Sequence, residues 1–337
     1  MKFHTKTAKV LPIDKHSLNL SKNLIENDEL VAFPTETVYG LGANATSDVA
    51  VKKIFEAKGR PCDNPLIVHV HEKYDISSLV YIDHDYVYKL QKAFLPGPLT
   101  MVYRSKGNVS SLVSCGLDTL AIRVPSNEGA LKFLKTVNLP IAAPSANLSK
   151  HTSPVTANHV YNDLFDKIKL ILDGGKSDRG IESTVLDVTS EVPRILRSGV
   201  ITISMIKNVV GECIYADNKE GDKVRSPGVK YLHYKPRCET VLFDRNDYKK
   251  AQEFYDNLIK DGKTPYFLCD DVIFEKLSGN QLSLGKSGEE IASNLYCKLL
   301  EGEKIADYII ALSVNSGSDI DNGIMNRLSK ACGNIIK

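Results

Sequence analysis

Two short clusters carry the side chains best suited to chemistry. Lys58-Gly-Arg60 sets two cations one residue apart at the end of a predicted helix, and Pro144-Ser-Ala-Asn147 closes an apolar stretch with a hydroxyl and an amide. Cations at that spacing suit a polyphosphate, and small hydroxyl and amide groups suit a nucleotide packed closely against backbone. The competing reading of the first cluster is a solvated helix end, where cations also satisfy the helix dipole. Arg123 interrupts the apolar run Leu120-Ala-Ile-Arg-Val124, where a guanidinium requires an anionic partner. That partner is either a bound carboxylate, gripped at two points, or an internal salt bridge. His69 interrupts Leu66-Ile-Val-His-Val70 in the same way, a position more often held by a satisfied core histidine.

Other motifs are decoys. Gly40-Leu-Gly-Ala-Asn-Ala45 fits G-x-G-x-x-A, but the polar Thr35-Glu-Thr37 separates the preceding strand from the glycines, whereas a dinucleotide loop runs straight from strand to helix. Gly285-Lys-Ser287 approaches a P-loop, but the upstream Gly279 stands one residue too far away. Neither a G-x-S-x-G elbow nor an H-E-x-x-H pair occurs. The chain therefore offers no obvious covalent nucleophile and no tight metal cage.

Alternating strand-like and helix-like stretches must position these residues. Strands are expected at residues 30–33, 66–70, 99–103, 119–124, 140–143, 168–172, 183–188 and 194–196. Helices are expected at 49–58 (Asp48 as N-cap), 85–95 (stopped by Pro96-Gly-Pro98), 128–137 and 203–210. Residues 217–222 have linker composition, and residues 226–236, with two prolines, a glycine and two tyrosines, read as an ordered connector. A second alternation follows, with strands at 240–243, 265–269, 282–284 and 308–312 and helices at 248–259, 289–300 and 325–335. Such alternation predicts a small parallel-sheet layer.

The 337 residues suffice for one large domain or two ordinary ones, and 42% apolar with 25% charged residues is a globular composition. A net charge of +2 argues against a general nucleic-acid coat protein. Seven scattered cysteines without a C-x-x-C pair read as free thiols in a reducing compartment. There is no membrane-length apolar run, and Met1-Lys-Phe-His-Thr lacks a signal-peptide core, so a cytoplasmic location away from membranes is expected.

Five segments together resemble the YrdC-like family of threonylcarbamoyl-AMP synthases: Phe33-Pro-Thr-Glu-Thr-Val-Tyr-Gly-Leu-Gly42, Lys58-Gly-Arg-Pro-Cys-Asp-Asn-Pro-Leu66, Pro96-Gly-Pro-Leu-Thr100, Pro144-Ser-Ala-Asn147 and Gly180-Ile-Glu-Ser-Thr-Val185. They occur in the family's order across roughly residues 10–205, and Lys58/Arg60 with Ser145/Asn147 fit its K-x-R and S-x-N signature. Gly59 stands where other members often carry a different residue. The connector and the second alternation resemble the family's long form. The resemblance implies an α/β fold, with a YrdC-like twisted mixed sheet and flanking helices over 1–210, a linker over 211–238 that covers the active site, and a smaller Rossmann-like α/β domain over 239–337.

The implied reaction joins L-threonine, bicarbonate (or CO2) and ATP into threonylcarbamoyl-AMP and pyrophosphate. The product then feeds N6-threonylcarbamoyladenosine formation in tRNA through other transfer proteins, so that tRNA is met only indirectly. Mg2+ is expected to travel with the triphosphate. The resemblance implies phosphate-gripping, catalytic roles for Lys58 and Arg60, and ATP contacts from Asn64, Thr119, Ser145, Asn147, Ser153, Arg197, Tyr231 and Tyr234. It assigns threonine contacts to Thr37, His69, Arg123, Ala143 and Ser183. Turn or cap roles for Thr37 and Ser183, a surface strand end for Arg197 and linker packing for the two tyrosines are the alternatives. Glu36 and Glu182 are further acid/base or metal-water candidates, with turn stabilisation equally natural. An RNA-binding module is a rival reading, but an RNP-type aromatic motif and a basic excess are missing. The related hydrogenase-maturation carbamoyltransferase carries C-x-x-C pairs that this sequence lacks.

Overall fold

The computed structural model describes residues 7–216 and 234–333, together with the backbone of 335–336. Two compact units emerge: Met1–Ser149, Pro154–Asp178 and Glu182–Lys230 form the first, and Lys150–Ser153, Arg179–Ile181 and Tyr231–Lys337 the second.

In the first unit the chain runs β1 (Lys9–Pro12), α1 (Lys15–Glu26), β2 (Val31–Phe33), β3 (Gly40–Asn44), α2 (Asp48–Lys58), β4 (Ile67–His69) and β5 (Val80–Tyr81). It continues through α3 (Tyr86–Phe94), β6 (Leu99–Ser105), α4 (Ser111–Ser114), β7 (Thr119–Arg123), α5 (Glu128–Val137) and β8 (Ile141–Ala143). It ends with α6 (Ala157–Leu164), β9 (Leu170–Asp173), β10 (Thr184–Asp187), β11 (Arg194–Arg197), α7 (Ile203–Val210) and β12 (Ile214–Tyr215). The strands make one mixed sheet in the order β1-β9-β2-β3-β8-β4-β7-β6-β10-β11-β12, with β5 on β6. Parallel pairs (β4 with β7, β6 with β10) interleave with antiparallel ones (β8 with β4, β7 with β6).

Strand alternation divides the apolar residues between two faces. One face packs against α2, α3, α6 and α7 through Ile54, Phe55, Leu90, Val160 and Ile206, which belong to the largest core cluster. On the other face Val31, Phe33, Ile141 and Leu172 pack with Ile25 of α1 and Phe133 and Leu134 of α5. Further along that second face lies a small cluster of Ile67, Val102, Ala121 and Val185, with Leu196 partly buried beside it. Strand residues alone make up this cluster, so the stretch over β4, β7, β6, β10 and β11 forms a floor.

The second unit is simpler. Its elements after the two short inserts are β13 (Glu239–Phe243), α8 (Tyr248–Lys260), β14 (Pro265–Cys269), α9 (Asp271–Phe274), β15 (Gln281–Ser283), α10 (Gly288–Ile305), β16 (Tyr308–Leu312), α11 (Asp321–Cys332) and β17 (Ile335–Ile336). The sheet order is β15-β14-β16-β13-β17 and its pairs are parallel. Phe243, Tyr255, Phe267 and Ile310 anchor its core.

Several boundaries differ from the sequence reading. Ser47, not Asp48, caps α2: its side chain accepts from Ala50 N, and Asp48 becomes the first helical residue, where its charge meets the dipole. β1, α1, β3 and α6 escaped the reading. α11 begins at Asp321 and ends before Gly333, whose φ of 85° stops it ahead of the expected residue 335. β3 contains the glycines of the discarded dinucleotide pattern. A Cβ on Gly40 would stand 3.0 Å from Phe33 Cζ, and one on Gly42 2.9 Å from Ile141 Cγ2, so these glycines make room for the core rather than for a phosphate.

Candidate functional site

The two opening motifs are joined by one side chain. Lys58 closes α2, is buried, and donates from Nζ to Ser145 O at 2.6 Å and Asn147 O at 2.5 Å, with Asn147 Oδ1 at 3.5 Å. Burial pushes its ammonium well below the ordinary lysine range, the nearby Arg60 charge acts the same way, and Asp163 opposes them. Lys58 is therefore turned inward, with carbonyl partners, rather than solvated at a helix end. Gly59 caps α2 in the left-handed region with φ 60°, a conformation that costs glycine little. Arg60 donates from Nη2 to Asn64 O at 2.9 Å and towards Pro65 O at 3.4 Å. Asn64 is fully buried, yet neither its Oδ1 nor its Nδ2 has a hydrogen-bond partner among the described residues. Leaving such atoms unmet costs about 1–3 kcal/mol each. Asn147 Nδ2 donates to Leu148 O at 2.8 Å, and Ser145 pairs with Gly40 in an isolated bridge.

Register places most of the other candidates on the floor described above. His69 of β4 lies opposite Arg123 of β7, and Thr100 of β6 flanks Arg123 on its other side. Alternation puts Thr119 on the same face as Arg123, at the far end of β7, and puts Ala143 beside Ile67. Arg123 is buried. Its Nη1 donates to Thr37 Oγ1 at 2.9 Å, and its Nη2 stands 2.9 Å from Glu36 Oε1. The second approach is an ion pair out of hydrogen-bond alignment: both Glu36 oxygens and Arg123 Nε and Nη2 make no hydrogen bond among the described residues. The internal salt bridge, the alternative reading of Arg123, is thus present. Thr37 is fixed in turn by Thr35, the two hydroxyls lying 2.9 Å apart. His69 is buried edge-on to Phe33, with Nδ1 3.1 Å from Ile67 O. A carbonyl only accepts, so the neutral ring carries its proton on Nδ1. Burial first, then the Arg123 charge, pushes its pKa down to about 3.

A second knot closes the floor at β10 and β11. Thr100 Oγ1 and Ser183 Oγ lie 2.8 Å apart, and Arg197 donates from Nη2 to Ser183 O at 2.9 Å and from Nε to the same oxygen at 3.2 Å. Arg197 is thereby a buried strap rather than a surface strand end. Gly199 permits the close approach, since a Cβ there would lie 2.5 Å from Glu182 O and Thr184 N. Glu182 is buried next to Ser183. The sequence places Thr100 in the Pro96–Thr100 segment but gives it no role; a hydroxyl inside the apolar 99–103 strand is the signal for one.

Two nucleotide candidates are residues of the second unit. Ser153 belongs to the second unit, as does Tyr234, which is buried with its ring stacked on Tyr296 at 5.2 Å and its carbonyl accepting from Thr152 Oγ1 at 2.9 Å. Tyr234 thus has the packed environment that its alternative reading allowed. Tyr231 lies outside the described residues, as does most of the connector. Among the described residues no group of three or more His, Cys, Asp or Glu side chains converges to hold a metal ion, and no helix is long and apolar enough to cross a membrane.

Known proteins match along nearly the whole chain. A family profile described as telomere recombination covers residues 23–199, and one described as the threonylcarbamoyl-AMP synthase C-terminal domain covers 201–333. The threonylcarbamoyl-AMP synthase of Pyrococcus abyssi is 39% identical over 95% of each chain, and that of Bacillus subtilis 40% identical over 92% of this chain and 91% of its own. The crystal structure of P. abyssi Sua5 complexed with L-threonine superposes with a TM-score of 0.89 at 38% identity, over 97% of both chains. The two profiles together run from residue 23 to 333, and the relatives match over nearly their full length: the chain belongs to the threonylcarbamoyl-AMP synthase family, in its long form with a C-terminal domain.

Proposed function

We propose that this chain acts as an L-threonylcarbamoyladenylate synthase, a nucleotidyltransferase that converts L-threonine, bicarbonate (or CO2) and ATP to threonylcarbamoyl-AMP and pyrophosphate. The threonine nitrogen first forms a carbamate. A carbamate oxygen then attacks the α-phosphorus of ATP, and pyrophosphate leaves. No covalent enzyme intermediate is needed, so positioning and electrostatic stabilisation carry the chemistry.

The observation that carries the reading is the shared floor, on which Arg123, His69, Thr100 and Ser183 lie together. Arg123 is suited to a threonine carboxylate, with Thr37 and Ser183 as hydroxyl contacts, neutral His69 beside the nitrogen and Ala143 allowing close approach. Arg60 and the unmet Asn64 amide are suited to phosphate and nucleotide, with Thr119, Ser145, Asn147, Ser153, Arg197 and Tyr234 as further ATP contacts. Lys58 is placed with Arg60 at the phosphates in this scheme, and it also ties down Ser145 and Asn147. Mg2+ arrives with the triphosphate, held by phosphate oxygens and water, in keeping with its preference for few protein ligands. The product passes in the cytoplasm to separate proteins that modify tRNA.

A pyrophosphate-release assay tests the reading by omitting threonine, bicarbonate and ATP in turn. Release is expected only with all three, and Arg60→Ala and Asn147→Ala should each lower it by about 100-fold. Release that is indifferent to threonine would overturn the assignment.

A further inference from the structure

Two buried and incompletely bonded charges of the first unit meet at one point. Glu36, in the loop between β2 and β3, has its side chain only 5% exposed, and neither of its carboxylate oxygens makes a hydrogen bond among the described residues. Arg123 beside it leaves Nη2 and Nε similarly unbonded. A buried ion pair of this kind recovers its desolvation cost only when the remaining protons and lone pairs are bonded as well. The pair presents an anion and a cation side by side, both with bonding capacity to spare. The complement of that arrangement is a zwitterion. Glu36 also borders a cavity of about 420 Å³, whose wall includes Ser126, Asn127, Glu128, Lys132 and Asp178.

We infer that Glu36 receives the ammonium group of the amino-acid substrate and accepts its proton when the carbamate forms. This rests on the synthase reading above. The substrate carboxylate takes Arg123 from Glu36, and the ammonium takes Glu36 from Arg123, so the ion pair holds the place of the bound amino acid. In the step itself the C–N bond forms between the threonine nitrogen and the bicarbonate carbon. The ammonium and bicarbonate together give carbamate, one water and one proton, and that proton goes to Glu36. Protonated Glu36 then stands beside the carbamate as a neutral hydrogen-bond donor rather than as a repelling charge. The cavity gives the proton a way out to solvent. Among the described residues, Arg123 on β7 faces Glu36 directly, Glu128 and Lys132 on α5 and Asp178 share its cavity wall, and His69 on β4 lies opposite Arg123 in register. Glu128 and Lys132 are already paired at 2.6 Å.

Two measurements test this on the full chain. In the unaltered protein, calorimetric binding of L-threonine is compared with that of 2,3-dihydroxybutyrate, in which a hydroxyl replaces the amine. The analogue is expected to bind at least about tenfold more weakly, since it lacks the charge-assisted bond to Glu36; equal binding overturns the inference. For Glu36→Gln, kcat for pyrophosphate release should fall about 100-fold at neutral pH with ATP affinity unchanged. The deficit should shrink at alkaline pH, where the amine sheds its proton unaided, and Glu36→Asp should retain part of the activity. A deficit that is constant with pH, or none at all, overturns the base role. Should Glu36→Gln fail to fold, the analogue comparison on the unaltered chain decides alone. If the unaltered chain releases pyrophosphate with all three substrates and these results still fail, the role of Glu36 falls and the synthase reading stands.

Discussion

Single residues in the first unit are core and candidate site at once, and His69 shows the consequence. Its ring is buried against Phe33 and held neutral by burial and by Arg123, so its pKa lies at about 3 when folded, against about 6.5 in the unfolded chain. The folded pKa is the depressed one. Above pH 6.5 both states are neutral, and the residue adds no pH dependence. As pH falls below 6.5 the unfolded chain takes up a proton that the folded chain refuses, and stability drains away until about pH 3. Between pH 6.5 and 5 the loss amounts to about 2 kcal/mol. Thermal melts of the unaltered protein should show this decline, and a His69→Asn variant should lose that share of it; an identical decline in both would assign the acid sensitivity elsewhere. His69 and Arg123 were both visible in the sequence as polar breaks in apolar runs, because a strand core tolerates such breaks only with partners. The identity of the partners was not visible. Glu36 lies 87 positions from Arg123 in the chain, and nothing local to either residue announces the pairing. The partners of Lys58 were hidden in the same way: the carbonyls of Ser145 and Asn147, just beyond β8, lie 87 and 89 positions away in the chain.

Elements were readable where their side chains declare a period and obscure where they do not. β7, β14 and β16 carry apolar runs and α5 an apolar stripe at helical spacing, and all four lie close to their expected bounds. β3 did not, because Gly40-Leu-Gly-Ala-Asn44 contains residues that strands usually avoid. Its glycines answer to packing across the sheet, with Phe33 and Ile141 filling the space where side chains would project. A Gly42→Val substitution therefore sets Cβ 2.9 Å from Ile141 Cγ2 and 3.2 Å from Val31 O, against neighbours fixed in a strand. It is expected to destabilise the protein by about 1–3 kcal/mol, despite valine's better strand propensity. Urea unfolding would show the change as a lower midpoint; an unchanged or higher midpoint would mean that β3 can move aside. Gly59 offers the contrasting case. Its φ of 60° and open surroundings make it a conformational glycine, used to end α2.

For the whole molecule, the alternation of strand and helix made an α/β chain with a second sheet legible from composition and period alone, but the compact units are not contiguous in sequence. Lys150–Ser153 and Arg179–Ile181 group with the C-terminal chain, a pairing between residues far apart that no local pattern encodes. Within that unit His151 Nε2 lies 2.9 Å from Glu303 Oε2, which also accepts from Arg237 N at 3.0 Å. Gly180, with φ 69°, packs so closely on α10 that a Cβ would stand 2.4 Å from Ala292 O. Both inserts adjoin residues proposed to bind substrates: the first contains Ser153, and the second leads through Glu182 to Ser183. Misplacing a substrate-positioning group by about 1 Å can cost about 100-fold in rate. Glu303→Ala removes the charge that His151 and Arg237 N share, and Gly180→Val collides with helix backbone. Each is expected to lower kcat for pyrophosphate release by about tenfold or more, the glycine substitution more severely because backbone cannot yield as a side chain can. A chain ending at Pro236 loses both partners at once and should fall at least as far as the worse single variant. Steady-state release from the three proteins checks this ordering; a truncated chain that matched the full one would mean that the inserts keep their places without α10.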